Sequence, residues 1–308
     1  VLVIEPCYLL TLNNSTQNYD VATDLYATHP GAPSSSPVCV QLDVEPGVFV
    51  TSPDASQPAM TEGSLPAGSV VGINNQGNII ARGGDGGDFV DPPNNKTGNG
   101  EDGGTALSLS AKTSLNNSGV VFGGGGGGAS MAFGLTFTIN LPFPFSDITF
   151  GFLVGGGGGG GTADGLGGSP PSGTFIGPVI YTAGGDATGG INAIPGEGGI
   201  LATTQSISAG PATVNLTPSS VGGDGGFYGF DGTQGTFALG LDITANVPVL
   251  GSITVFSSNF DLAGVASFVG VPIPQPGDAG NAVKRNGNAF NIPDGNYNTS
   301  FLKGAVGN

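Results

Sequence analysis

Apolar and polar residues alternate along "VCVQLDVEPGVFVTS" (38–52), which predicts two short strands joined at a Pro46–Gly47 turn. With "SSSP" (34–37) as a local loop, residues 1–62 read as a small β module. A similar alternation runs through "GGTALSLSAKTSLNN" (103–117). Two longer stretches, "GLTFTINLPFPFSDITFGFLV" (134–154) and "TFALGLDITANVPVLGSITVFSSNF" (236–260), predict β-hairpins that reverse near Pro142–Phe145 and near Asn246–Pro248. Only "YDVATDLYAT" (19–28) reads as a short helix. The expected fold is mostly β, with little or no α-helix.

From Gly63 the texture changes, and residues 63–308 read as a second, glycine-rich domain carrying the two hairpins as insertions. An internal repeat lies within it. "INNQGNIIARGGDGG" (73–87) matches "LNNSGVVFGGGGGGA" (115–129) at an offset of 42 residues: apolar, Asn-Asn, any residue, Gly, any residue, two apolar positions, then glycines. Such a repeat points to stacked units. Two copies are too few for a solenoid, so the glycine segments are expected to pack on something else.

Unbroken glycine runs ordinarily mark flexible linkers, because glycine loses most entropy on ordering. Here the number of runs argues otherwise: 83–87, 123–128, 155–161, 165–168, 184–190, 196–199 and 222–226. Polyglycine can adopt the left-handed polyproline-II conformation, three residues per turn with a rise of about 3.1 Å. Without side chains, such runs can approach closely and bond laterally through N–H and C=O groups. A packed polyglycine-II lattice is therefore expected. Its core glycines are Gly83 and Gly84; Gly123, Gly124, Gly125, Gly126, Gly127 and Gly128; and Gly155, Gly156, Gly157, Gly158, Gly159, Gly160 and Gly161.

Composition supports a folded chain: 38% of residues are hydrophobic and only 9% charged, the reverse of a disordered sequence. Net charge is −16, with six scattered basic residues, which disfavours nucleic-acid binding. No stretch reads as a membrane-spanning helix, since Pro142, Pro144 and Asp147 interrupt the most apolar segment. Cys7 and Cys39 flank one segment. A disulfide, which stabilises by about 2–4 kcal/mol, and two buried thiols are both open readings.

Candidate chemistry is sparse. A GxGxxG pattern occurs inside Gly123–Gly128, but no helix follows that could hold a pyrophosphate. "GGDGGDFVD" (83–91) matches one calcium-binding β-roll nonapeptide through Asp85, Asp88 and Asp91. Such rolls need tandem copies, so solvated loop carboxylates are the preferred reading and no metal is expected. His29 is the one histidine, and the carboxylates are too dispersed to nominate a catalytic pair. Neither enzymatic activity nor a cofactor is expected. Aromatic anchors dominate binding surfaces, and Phe143 and Phe145 at the presumed turn, with Tyr181, Phe227 and Tyr228 beside glycines, are the contact candidates; Tyr181, Phe227 and Tyr228 could equally cap the lattice. Phe150 and Phe152 read as hairpin core.

Residues 63–129 and 277–308, with "PAMTEGSLPAGSVVGINN" (58–75) as the lead-in, both repeat copies, "GDAGNAVKRNGNAF" and "GAVGN", resemble the glycine-rich distal region of tailed-bacteriophage tail fibres and central tip attachment proteins. The resemblance implies a β module carrying a polyglycine-II lattice, often on a homotrimeric fibre. It implies loops that bind a host receptor, either an outer-membrane protein or a surface glycan. It also implies other phage tail proteins as partners and a place in the virion at the distal end of the tail. The alternative reading is a secreted, extracellular glycine-rich structural or filament-forming protein, in which the lattice mediates self-assembly.

Overall fold

An alternating strand must lay its apolar row against a core. The computed structural model describes residues 7–91, 96–139, 148–170, 179–209, 212–247, 251–293 and 300–307, and in it that core is the inside of a three-sided solenoid. The first face stacks Tyr8–Leu12, Cys39–Val44, Val70–Asn75, Lys112–Asn117 and Phe290–Asn291. The second stacks Thr16–Gln17, Phe49–Thr51, Asn78–Ile80, Val120–Phe122 and Leu302–Lys303. The third stacks Tyr19–Asp20, Met60–Thr61, Leu107–Ser108, Val283–Lys284 and Val306–Gly307. Within each face neighbouring strands run parallel, so the chain climbs one rung per circuit.

Leu10, Val40, Leu42, Met60, Ile73, Ile79, Leu107, Leu115 and Val121 fill the interior. The expected short helix is α1, Val21–Thr28, and it adds Val21 and Leu25 to the same core. Asp20 caps it, accepting from the Thr23 N–H at 2.8 Å. Cys7 and Cys39 form a disulfide, tying the chain ahead of the first rung to the start of the second. The Pro46–Gly47 turn is a corner between two faces, with Gly47 in the left-handed region at φ 81°.

The 42-residue repeat is two adjacent rungs. Ile73 lies over Leu115, Asn74 over Asn116 and Asn75 over Asn117. Asn75 Nδ2 donates to Asn117 Oδ1 at 2.7 Å, and Asn116 Nδ2 to Asn74 Oδ1 at 3.1 Å, forming an asparagine ladder. The repeat's glycine is sterically required: a Cβ on Gly119 would lie 1.9 Å from the Gly77 carbonyl oxygen of the rung below. The remaining three rungs come from segments without the motif, so a solenoid forms although the repeat is legible in only two of its five rungs. The boundary expected at 62/63 falls inside this solenoid, whose faces continue through it because rung pairing follows strand stacking and ignores composition.

One corner, between the second and third faces, carries the rest of the molecule. In the first rung it is the single residue Asn18, at φ 48°. It lengthens to 52–59 in the second rung, 81–106 in the third and 123–282 in the fourth. The last two excursions form the glycine-rich body and, beyond it, a β-sandwich. One sheet of the sandwich runs Lys96–Thr97, Val90–Asp91, Met131–Ile139, Ile148–Gly156, Val179–Thr182. The other runs Ile200–Leu201, Ala212–Val221, Thr236–Val247, Gly251–Asp261, with Gln205–Ala209 also paired to Ala212–Val221. Both predicted hairpins are present. Phe133 and Phe237 meet edge to face at 5.0 Å across the sandwich core. A second helix, α2, Leu262–Val269, follows the last strand and buries Val265 in that core.

Glu62 is the solenoid's one fully buried carboxylate among the described residues. Its Oε2 accepts from the N–H groups of Ser110 and Ala111, each at 2.7 Å, and its Oε1 meets the Thr113 hydroxyl. That hydroxyl also lies 3.1 Å from the Ala111 carbonyl oxygen. One proton cannot serve both acceptors; if it goes to Ala111, Glu62 must be the donor to Thr113, which requires the protonated acid. Burial pushes the Glu62 carboxyl above the ordinary carboxylate range, opposed by those three donors. A carboxyl whose folded pKa is raised contributes stability that is complete below its unfolded pKa and is lost as pH rises through the folded value. Chemical denaturation across this range should therefore show wild-type stability falling with pH by more than that of Glu62→Gln. Glu62→Ala, which orphans two buried N–H groups, should cost about 2–3 kcal/mol at acidic pH, where the carboxyl is protonated, and less as pH rises and the wild type alone loses stability.

Candidate functional site

The glycine body is held by lateral main-chain hydrogen bonds that repeat every three residues. Along Gly123–Gly128, residues 123 and 126 donate to Lys303 and Phe230, 124 and 127 to Gly104 and Glu101, and 125 and 128 to Thr162 and Gly159. The central run behaves alike: 157 and 160 donate to Thr182 and Gly185, 158 and 161 to Gly87 and Gly84, and 159 and 162 to Gly223 and Gly226. That run also accepts from the runs at 125–128, 165–168 and 196–199. It is thus enclosed by neighbours bonded on every side. Of the expected lattice glycines, Gly155 and Gly156 lie instead at the end of the hairpin strand, paired with Ala132 and Met131.

Glycine is obligatory here because the runs lie too close for a side chain. A Cβ on Gly158 would fall 1.9 Å from the Gly128 carbonyl oxygen, and one on Gly127 2.0 Å from that of Asp85. Side chains are confined to the rim, where they do specific work. Rim N–H groups have no further run to bond, and aspartates supply the acceptor. Asp85 accepts from Leu166 N at 2.8 Å, Asp88 from Ser169 N at 3.0 Å and Asp186 from Gly167 N at 2.8 Å. Asp224 accepts from Gly198 N at 2.8 Å, Asp102 from Asp278 N at 2.9 Å and Asp231 from Ala279 N at 2.7 Å. These caps went unrecognised in the sequence, although "GGD" at 83–85, 184–186 and 222–224 is their signal. Two of the three carboxylates of the calcium-like motif, Asp85 and Asp88, are engaged this way, and Asp85 also pairs with Arg82 at 2.9 Å.

Chain direction fixes which connections share an end. The runs at 83–87 and 123–128 leave the solenoid and enter strands Val90–Asp91 and Met131–Ile139. Strand pairing and run pairing then orient the rest. The strand ends at 139/148, 209/212 and 247/251 lie at the sandwich's far end, away from the solenoid, whereas 91/96 and 179 lie lower, level with Gly134 and Leu153, about five residues short of that end. The connections at 162–165, 188–195 and 227–231 lie at the near end, beside the solenoid's second face, where Ala163, Ala193 and Tyr228 pack with Ile80, Val120 and Phe122.

The contact candidates separate accordingly. Phe143 and Phe145 lie outside the described residues, in the segment joining the far-end strands at 139 and 148. Tyr228 is buried, 5.0 Å from Phe122 ring to ring, and donates its hydroxyl to the Gly190 carbonyl; it caps the near end of the lattice and presents no contact surface. Tyr181 is half-buried against Phe89, Ala132 and Leu153, donating to the Asp88 carbonyl at 2.6 Å. Burial pushes both phenols well above their usual range. Phe227 is exposed, as is Phe230, but both belong to the near-end loop. His29 is spent on structure, its Nε2 lying 3.0 Å from the Leu9 carbonyl oxygen.

The family model for phage tail fibre adhesin Gp38 matches residues 8–306, nearly the whole chain. The chain belongs to this adhesin family. No curated protein is significantly similar to it in sequence. Among solved structures it is similar to the gp37–gp38 adhesin tip complex of the bacteriophage S16 long tail fiber, with 17% identity over 96% of this chain and 80% of that one and a TM-score of 0.49. The adhesin is accordingly a receptor-binding protein of a phage tail fibre.

Gly158→Ala should unfold the lattice or cost roughly 3 kcal/mol, whereas Gly31→Ala, which meets nothing within 4 Å, should stay within about 0.5 kcal/mol. Asp224→Ala should cost about 1–2 kcal/mol, and Asp224→Asn, which keeps an acceptor oxygen, much less. Thermal melting of the four variants checks both statements.

Proposed function

We propose that the glycine body is a polyglycine-II lattice, and that it holds the far end of the sandwich as the surface that meets the host receptor. The three-residue hydrogen-bond period supports the first part. The second rests on one observation: every connection at the far end joins strands that a bonded framework fixes in place, so little ordering entropy is lost on binding. Phe143 and Phe145 fall in one of these connections and stay within the proposed surface, while Phe227, Tyr181 and Tyr228 fall outside it. The solenoid, at the opposite end, is the part that faces the other tail proteins, which puts the receptor surface at the distal end of the tail. Attachment in this reading is non-covalent and reversible. A homotrimer, implied by resemblance, has no counterpart in the chain's own sheets, since one chain supplies all three faces of the solenoid.

Purified adhesin should adsorb to host cells and block infection by the phage that carries it. Replacing 140–147 or 248–250 with a Gly-Ser segment of equal length should abolish the block with no change in melting temperature. Undiminished blocking by both replacements would show that the receptor surface lies elsewhere.

A further inference from the structure

The sandwich's second sheet ends in Gly251–Asp261, an 11-residue strand paired on one side with Thr236–Val247 and, among the described residues, with no further strand on the other. Other sandwich edges are shorter, with strands of two, four and five residues. A long open edge presents a row of main-chain donors and acceptors, the template to which an extended peptide adds as a further strand. Ser252, Thr254, Phe256, Ser257 and Asn259 are exposed along it, Phe256 to 42%. The strand carries neither lysine nor proline, the residues that commonly block such edges.

Two observations select the occupant. The first is charge. No Lys, Arg or His occurs between Lys112 and Lys284, and Lys96 is the one basic residue that the sequence places beyond the lattice. Phosphate and carboxylate groups of a surface glycan are gripped by such cations; this end of the molecule has almost none. The hairpin's own carboxylates are each engaged within the fold through one oxygen: Asp242 accepts from the Ser257 hydroxyl at 2.5 Å and Asp261 caps α2 through Gly264 N at 2.7 Å. What remains is main chain, hydroxyls and an aromatic ring. The second is shape. Pairing shifts between Ile243 opposite Phe256 and Thr244 opposite Thr254, leaving Val255 as an extra residue. Such a bulge twists an edge away from the flat geometry that two copies need to pair with each other. A pliable loop can follow that twist.

We propose that Gly251–Asp261 is a receptor-pairing strand, to which an extended, uncharged segment of a host surface protein adds through main-chain hydrogen bonds, with Phe256 seating one of its apolar side chains. The proposal rests on the receptor-binding reading above and names the partner's chemistry.

The test measures binding of the labelled full chain to intact host cells, before and after protease treatment or periodate oxidation of surface glycans, and over a range of salt. Successive residues of a strand aim their N–H groups to opposite sides, so of Ser257→Pro and Ser258→Pro one removes an edge donor and the other breaks the ladder to Thr236–Val247. The variant that keeps the wild-type melting temperature should lose at least about tenfold in binding. Phe256→Lys, at an exposed site, provides a fold-safe second variant and should lose a similar factor. Binding should vanish after protease, survive periodate and change little with salt. Wild-type binding by the fold-intact proline variant and by Phe256→Lys overturns the proposal, as does binding abolished by periodate, or an adhesin dimer that these variants dissociate. If the wild-type chain fails to bind cells at all, the receptor-binding reading falls first.

Discussion

Close approach of bare main chains is the interaction on which this molecule depends. A carbonyl oxygen of one glycine run sits about where the Cβ of a residue in the next would be, 1.9 Å from that of Gly158 and 2.0 Å from that of Gly127. Removing the side chains lets the interior N–H groups find carbonyls in neighbouring runs, and the three-residue period distributes those bonds around each run. Cohesion usually supplied by packed side chains is supplied here by backbone polar groups, whose pairing is in any case compulsory once they are buried. Where the lattice ends, the same requirement selects aspartate. Part of the net charge of −16 is therefore structural: Asp85, Asp88, Asp102, Asp186, Asp224 and Asp231 complete the rim.

The three parts of the adhesin divide the work. A solenoid with a conventional apolar core gives two parallel exits at one corner, set in register by the asparagine ladder at Asn75 and Asn117. The lattice carries those exits outward without a second apolar core of its own. The sandwich then restores side-chain packing around Phe133 and Phe237 and gathers the chain's longest strands at its far end. Because the lattice is bonded through main chain inside and through its own aspartates at the rim, changes of side chain in the far-end connections leave its cohesion untouched. A tail fibre adhesin gains from that separation, since its receptor surface can vary while the framework stays fixed.

Much of this was legible in the sequence. The alternation at 38–52, 134–154 and 236–260 marked strands that the structure contains, and the one segment read as helix is α1. The repeat was visible too, but its meaning was not. Rungs one, two and five lack the Asn-Asn-Gly motif, and parallel stacking across distant segments leaves no local trace. Helix α2 had both its signals, Asp261 as N-cap and Gly270 as a left-handed C-cap at φ 75°, yet Gly264 and a run of small and β-branched residues hid it. Tyr228 beside glycines was open to two readings, exposed contact or lattice cap, and the packed lattice buries it as a cap, so glycine content is no guide to exposure here. Of the rim aspartates, Asp85 and Asp88 were read as solvated, because nothing in the sequence shows which N–H groups lack a run to bond.

Amide hydrogen exchange at Gly125, Gly158, Gly159 and Gly160 tests the central claim most directly. These N–H groups donate to Thr162, Gly87, Gly223 and Gly185 deep within the lattice. The account predicts protection comparable to that of the solenoid core amides of Ile73 and Leu115, released only as the molecule unfolds. Exchange of these glycines at the rate of an unstructured chain, while the solenoid stays protected, would contradict it.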